Sequence, residues 1–315
     1  MTNVFKEDEL SMTNHSRQQH CHSPGATWYT DSPCPAALAS LPMLPDDFQP
    51  AHTPITHLLP DQIIIALQGD TLLCRSEGLP TASALAHLAA PERAQIIGYW
   101  QQRPVVLAQW PATTAIPAGL EALELRASYG RLSEDEWLLA GRASQIATFY
   151  RTHQHCGVCG HATTPLAEEV ACGCPACGHR VWPRVSPAVM VLIRREVAGQ
   201  TELLLARSPG FRPGVYSALA GFVEPGESLE QCAHREVLEE VGVRIRHLRW
   251  FGSQSWSFPH SLMLAFVADY AGGDIRCQPG EIEDAQWYPL SALPELPSRY
   301  SLAYRLIQSV LPSAT

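Results

Sequence analysis

Three stretches of this chain combine residue types and spacings that can do chemistry. Residues 221–243 read G-F-V-E-P-G-E-S-L-E-Q-C-A-H-R-E-V-L-E-E-V-G-V. From Ser228 to Val241 there is neither Pro nor Gly, which predicts a helix with Ser228 as its N-cap and Gly242 as its stop. On that helix Glu236, Glu239 and Glu240 fall at i, i+3 and i+4, so three carboxylates share one face. Like charges this close repel unless a cation sits among them. Hard oxygen ligands suit Mg2+ or Mn2+, and Mg2+ suits a phosphate substrate. Glu227 offers a fourth carboxylate, Arg235 a bidentate partner for one of them, and Gly221 and Gly226 the tight turns of the preceding loop. A solvated acidic helix face is the competing reading.

The second stretch is Cys156-x-x-Cys159 followed by Cys174-x-x-Cys177. Four thiolates so spaced read as a tetrahedral structural Zn2+ site, closed to chemistry, with Gly157, Gly160, Gly173 and Gly178 supplying turns. Cys172 is an extra thiol beside it, and a redox pair is the weaker alternative. The third stretch is Ser253-Gln254-Ser255-Trp256-Ser257-Phe258-Pro259-His260-Ser261. Two aromatics among small polar residues, between two strands, make a platform on which a flat base can stack. The same string also reads as a loop with two core aromatics.

Taken whole, the first stretch resembles the Nudix hydrolase signature G-x5-E-x7-R-E-U-x-E-E-x-G-U, where U is a bulky aliphatic. Gly221, Glu227, Arg235, Glu236, Val237, Glu239, Glu240, Gly242 and Val243 fill its defined positions. The third stretch resembles the S-Q-P-W-P-F-P-x-S motif of the NADH pyrophosphatase subfamily, through Ser253, Gln254, Trp256, Phe258, Pro259 and Ser261. Ser255 and Ser257 stand where that motif has prolines. The resemblance implies a Nudix α/β/α sandwich with a mixed sheet, in the α/β class, after a zinc ribbon and a small β-rich domain. It implies hydrolysis of the pyrophosphate of NAD(H) to NMN(H) and AMP, and removal of NAD caps from RNA 5′ ends.

The residue roles that follow are likewise implied by the resemblance. Glu227, Arg235, Glu236, Glu239 and Glu240 form the catalytic box, with Glu239 or Glu240 taking the proton of the attacking water. Two or three Mg2+ or Mn2+ ions are held by Glu236, Glu240, the Ala220 carbonyl and Glu281, and one Zn2+ per chain by Cys156, Cys159, Cys174 and Cys177. Substrate contacts fall on Gln254, Ser255, Trp256, Ser257, Phe258, Pro259, His260, Ser261 and Ala303, with looser matches at Glu169 and Arg126. Trp182 replaces the usual Tyr, keeping a stacking face without the hydroxyl. The active unit is expected to be a homodimer. Another nucleoside diphosphate derivative, such as ADP-ribose or a dinucleoside polyphosphate, is the alternative substrate; a non-catalytic zinc-ribbon binding module is the alternative of another class.

The elements that must position these residues are readable in outline. Residues 1–25, with His15, His20, Cys21 and His22, lack an apolar pattern and read as a disordered tail. Residues 31–60 are Pro-rich and read as irregular. Within a first domain at 26–150, residues 62–67 and 71–75 flank Gly69-Asp70 as a hairpin, 95–100 and 104–110 flank residues 101–103 as a second, and 133–150 has helical spacing. The zinc ribbon is expected at 151–182 and the catalytic domain at 183–315. There, a hairpin is expected around residues 196–200, strands at 217–223, 244–254, 262–268 and 285–289, and a final helix at 301–310. A net charge of −9 over 315 residues leaves no basic footprint for DNA. No apolar run reaches the length of a membrane span, and the N-terminus has no signal-like apolar segment, so a cytoplasmic enzyme with reduced thiols is expected.

Overall fold

The computed structural model describes residues 43–311. The expected tail at 1–25, its His15, His20, Cys21 and His22, and residues 26–42 of the first domain lie outside the described residues, as do residues 312–315.

The first layer grows from two apolar runs buried on both faces. Strands β2 (Ile63–Gln68) and β5 (Arg103–Trp110) lie side by side in parallel at the middle of a six-stranded sheet. Ile63, Ile65 and Leu67 point to one core, while Ile64 and Ala66 point to a second on the opposite face. The remaining strands are β1 (Gln49–Pro54), β3 (Thr71–Cys74), β4 (Arg93–Trp100) and β6 (Glu121–Leu123), in the order β1-β4-β5-β2-β3-β6. A short helix, α1 (Ala82–Leu85), precedes β4. Helix α2 (Glu134–Thr152) covers the first core, placing Trp137, Ala140, Ala143 and Ile146 against the sheet. Ser133 caps it in a reciprocal box with Glu136.

Two expectations need correction here. Part of the Pro-rich segment is a strand: β1 pairs with β4 only, and an edge strand with a bulge between Pro50 and Thr53 tolerates prolines. The β4–β5 loop has two residues, not three. Trp100 pairs with Arg103, and both Gln101 and Gln102 take positive φ (52° and 61°), the geometry of a tight hairpin turn without its usual Asn-Gly.

Next comes a small three-stranded sheet, β7 (Thr164–Pro165), β8 (Cys172–Gly173) and β9 (Arg180–Val181), carrying the four cysteines at its ends.

The third part is a mixed sheet between two helices. Its strands are β10 (Ser186–Val197), β11 (Gln200–Arg207), β12 (Leu219–Phe222), β13 (Arg244–Trp256), β14 (Ser261–Gly272) and β15 (Asp284–Pro289), in the order β13-β14-β10-β11-β15 with β12 on β10. The β10–β14 pair is parallel and the others antiparallel. Along β10 the side chains alternate: Val189, Val191 and Ile193 meet helix α3 (Leu229–Val241), and Met190 and Leu192 meet helix α4 (Leu302–Gln308). This is the α/β/α sandwich with one helix on each face. The β10–β11 hairpin closes through Ala198 and Gly199 alone, both at positive φ, a tighter turn than residues 196–200 suggest. Among the described residues no helix is long and apolar enough to cross a membrane, and all eight cysteines are unpaired.

Candidate active site

Helix α3 is held at both ends by its own sequence. Ser228 Oγ accepts from the Gln231 amide at 3.2 Å while Gln231 Oε1 accepts from the Ser228 amide at 2.9 Å. Gly242 ends the helix with φ 73°. Cys232, Ala233, Val237 and Val241 anchor its apolar face, and Glu240 on the edge of that face is only 6 % exposed.

Arg235 organises the carboxylates around it. Its Nε and one terminal nitrogen grip the two oxygens of Glu227 at 2.7 and 2.8 Å. Its other terminal nitrogen donates to Glu236 at 2.9 Å and to Glu239 at 3.0 Å. The hydrogen bonds from Arg235 hold the Glu227 carboxyl down to about 2. Glu227 is thereby committed to the guanidinium and to the Glu224 amide. Glu236 lies so close against Gly221 that no Cβ fits there, which is the physical reason for glycine at that position.

Glu240 is the conspicuous group. One of its oxygens is buried with no hydrogen-bond partner. Burial, then the charges of Glu236 and Glu281, push its carboxyl up to about 8, while the Ala220 amide acts in the opposite direction. Glu236 is also raised, by burial first and with Glu281 contributing. Residues 220, 236, 240 and 281 therefore meet in one place although 61 positions separate the outer two. A buried, unpartnered carboxylate oxygen beside two further carboxylates fits a hard divalent cation, whose charge would reverse the repulsion.

The aromatic loop borders a cavity on the α4 side of the sheet. Met190, which pairs with Ala220 on β12, also lines a cavity of about 380 Å3 walled by Arg126, Trp256, Tyr300, Phe211 and Ala303. Trp256 stacks on Tyr300 with ring centres 5.8 Å apart and planes 20° apart, and meets Phe258 edge-on at 5.0 Å. The Arg126 guanidinium lies 4.4 Å over the Phe258 ring. Gln254, 2 % exposed, uses both amide atoms on backbone: it donates to the Tyr300 carbonyl at 2.8 Å and accepts from the Leu302 amide at 2.7 Å. Ser255 donates to Gln145 at 3.4 Å, and Ser257 lies against Gly141. His260 pairs with Ser186 at 3.2 Å and Ser261 is buried, while Pro259 is exposed.

Not every site residue read from the sequence joins this group. Trp182 donates to Glu169 at 2.8 Å, and Glu169 pairs with Arg180 at 3.7 Å; neither Trp182 nor Glu169 forms a hydrogen bond or ion pair with the box or the aromatic loop. Conversely Tyr300, Phe211 and Met190 line the cavity without any local signature. Tyr300 lies just before Ser301, the cap of α4, so only the tertiary fold reveals its role.

The four cysteine sulfurs lie within 4.8 Å of one another, with neighbouring pairs at 3.4–3.6 Å. Tetrahedral Zn2+ with bonds of about 2.3 Å sets sulfurs about 3.8 Å apart, so the donors fit. The two knuckles repeat each other: the Cys156 and Cys174 amides donate to the carbonyls of His161 and His179, both at 2.8 Å, and Gly160 and Gly178 share φ 76°.

Comparison with known proteins agrees with these three parts. Residues 184–309 match the family described as NUDIX domain, residues 61–148 the NADH pyrophosphatase-like rudimentary NUDIX domain, and residues 151–181 the NADH pyrophosphatase zinc ribbon domain. A protein of Deinococcus radiodurans named NAD-capped RNA hydrolase NudC is 46 % identical over 253 residues, 80 % of this chain and 88 % of that protein. A Chromobacterium violaceum protein of the same name is 58 % identical over 169 residues, 54 % of this chain and 62 % of that protein. Among solved structures, a NUDIX hydrolase from Nitrosomonas europaea is 22 % identical with a TM-score of 0.37, covering 43 % of this chain and 77 % of that one.

Proposed function

The chain belongs to the Nudix hydrolases, in their zinc-ribbon NADH pyrophosphatase subfamily, and we propose that it hydrolyses the pyrophosphate of NAD(H) and removes NAD caps from RNA 5′ ends. The observation that carries this reading is the buried Glu240 carboxylate, unpartnered on one oxygen and crowded by Glu236 and Glu281, in a chain that also has a cavity walled by Trp256. A metal-assisted phosphate centre and a stacking face for a base are the two things a dinucleotide pyrophosphatase needs.

In this reading Glu236, Glu240, Glu281 and the Ala220 carbonyl would hold two or three Mg2+ or Mn2+ ions, which would supply charge neutralisation for the diphosphate and an acidified water. The protein's own groups do the rest. Arg235 fixes the orientation of Glu236 and Glu239 and is itself fixed by Glu227. Glu239 or Glu240 takes the proton as water attacks phosphorus and the bridging P–O bond breaks, giving NMN(H) and AMP. Trp256 and Phe258 seat the base, with Arg126 beside them and Ala303 at the cavity wall. Gln254, through its backbone bonds, holds the loop rather than meeting the ligand by its amide.

We further propose a homodimer whose chains share the active site, which would bring the exposed Trp182–Glu169 pair against substrate held by the other chain. Eight unpaired cysteines among the described residues support a reducing, cytoplasmic setting.

The test is AMP release from NADH, ADP-ribose, a diadenosine polyphosphate and NAD-capped RNA, compared side by side with Mg2+ and Mn2+. NADH and capped RNA are expected to lead by kcat/KM; leadership by ADP-ribose would overturn the substrate assignment. Glu240→Gln should lower AMP release at least about a hundredfold while zinc content and fold are unchanged.

A further inference from the structure

The net charge of −9 hides one long stretch that carries no carboxylate. Between Glu240 and Asp269 there is neither Asp nor Glu, and that interval holds all of β13, the aromatic loop and most of β14. The first part of β13 carries Arg244, Arg246, His247 and Arg249, followed by Trp250. Arg244 and Arg246 are exposed, and Trp250 is 50 % exposed, its ring 5.3 Å from that of Phe266. β13 is also the outermost strand of its sheet, and among the described residues no strand pairs with its outer edge. The ion pairs of this stretch all go to one carboxylate. Arg249 and His247 pair with Asp269, which also takes Arg194 from β10. Arg244 and Arg246 form no ion pair among the described residues.

Further along the strand lies a cavity of about 370 Å3 between α2 and β13, lined in part by Arg142, Gln145, Ser253 and Ser255, with no carboxylate in its wall. Arg142 donates from Nε to the Ile97 carbonyl at 3.3 Å, and its guanidinium lies 5.5 Å from the centre of the Phe48 ring. It too forms no ion pair among the described residues, and burial pulls its guanidinium below the usual arginine range with no carboxylate to offset this. A cation held so favours an anion beside it. The sheet register relates this cavity to the carboxylate cluster. Gly221 pairs with Val189, Val189 with Leu264, and Leu264 with Ser253, so these four form one row on the α3 face. Glu236 presses on Gly221 at one end of the row. Three strand spacings put Ser253 about 14 Å away at the other. Ser255 and Trp250 pair with Leu262 and Phe266, two positions to either side of Leu264, and share that face.

We propose that the body of a capped RNA leaves the active site along this strip as a single strand, with Arg142 taking a phosphate in the cavity, a base stacking on Trp250, and Arg244 and Arg246 taking phosphates beyond it. A polyanion needs cations spaced along a path free of opposing carboxylates, and a flexible single strand can turn a base onto an exposed ring. The proposal rests on the reading of the chain as a cap hydrolase and names the surface that reading requires.

Two measurements test it. In the first, a labelled, uncapped, unstructured RNA of about 16 nucleotides is titrated into the zinc-loaded full chain without Mg2+ or Mn2+. The parent should bind it, with affinity falling as salt rises. Arg244→Gln combined with Arg246→Gln should flatten the slope of log affinity against log salt by about 1.4, and Arg142→Gln by about 0.7, at about 0.7 per phosphate contact on a single strand. Trp250→Ala should weaken binding at least about fivefold. No binding by the parent at low salt would overturn the surface, and so would variants that keep the parental slope and affinity. In the second, kcat/KM with Mg2+ is compared for NADH, an NAD-capped dinucleotide and an NAD-capped RNA of the longer length. The Arg244/Arg246 and Trp250 variants should lose activity on the long capped RNA alone; an equal loss on NADH would overturn the surface. A parent that binds RNA through these residues yet cleaves no capped RNA would overturn the cap-hydrolase reading and leave the surface standing.

Discussion

Arg235 reaches Glu227, Glu236, Glu239 and the Phe222 carbonyl from a single side chain. A lysine keeps the charge and loses the planar fork that matches Glu227. Arg235→Lys should therefore lower kcat for NADH at least about tenfold, with a smaller change in KM and zinc retained; an unchanged kcat would remove Arg235 from the orientation of the box. At this scale the sequence is most informative where chemistry is local. The box glutamates sit on one helix, so a 3.6-residue period suffices to place three of them together. Glu281 and Ala220 come to the same point by tertiary approach, and only family resemblance indicated them. Tyr300 and Phe211 had no signal at all, since an aromatic next to a cap or in a loop has the same appearance whether it faces solvent or a cavity.

Elements were legible in proportion to how far their own residues determine them. The capping boxes of α2 and α3 and the strands buried on both faces follow from short strings. Strand β1 did not, because its pairing comes from β4 rather than from its own Pro-rich sequence. Two outcomes belong here. Asp269 on β14 is half-buried, which would raise its carboxyl, but hydrogen bonds from Arg194, Arg249 and His247 outweigh this and hold it below the usual range. Its stabilising contribution is thus full above the unfolded value of about 3.9 and is lost as the pH falls toward the folded value. Asp269→Asn should lower the unfolding midpoint at pH 7 and flatten the fall of the parent's midpoint at acid pH. The second concerns α2 and the aromatic loop. A Cβ on Gly141 would lie 2.7 Å from Ser257 Oγ. Gly141→Ala should raise KM for NADH several-fold, on the order of 1 kcal/mol, and adding Ser257→Ala should recover most of that loss; an effect that persists in the double variant would place the strain elsewhere.

Across the whole molecule, three parts are tied by two seams. At one, His52 and Leu166 join the ribbon to the first sheet. Replacing Cys177 by Ser should drop zinc below one per chain, by elemental analysis, and lower NADH hydrolysis, and, if the proposed dimer forms through Trp182 and Glu169 of the ribbon, its dimer content as well. At the other, Trp137 on α2 packs 5.0 Å from Tyr300, and Arg126 of the first domain covers Phe258 of the third. This second seam bears on how such chains can be recombined. A crossover placed in the ribbon, the obvious joint between modules, would pair one parent's Trp137, Gly141 and Arg126 with another parent's loop and Tyr300. The smallest heritable block for substrate choice is therefore discontinuous, residues 126–145 together with 253–303, and chimaeras that split it should fold with zinc yet lose discrimination among dinucleotides.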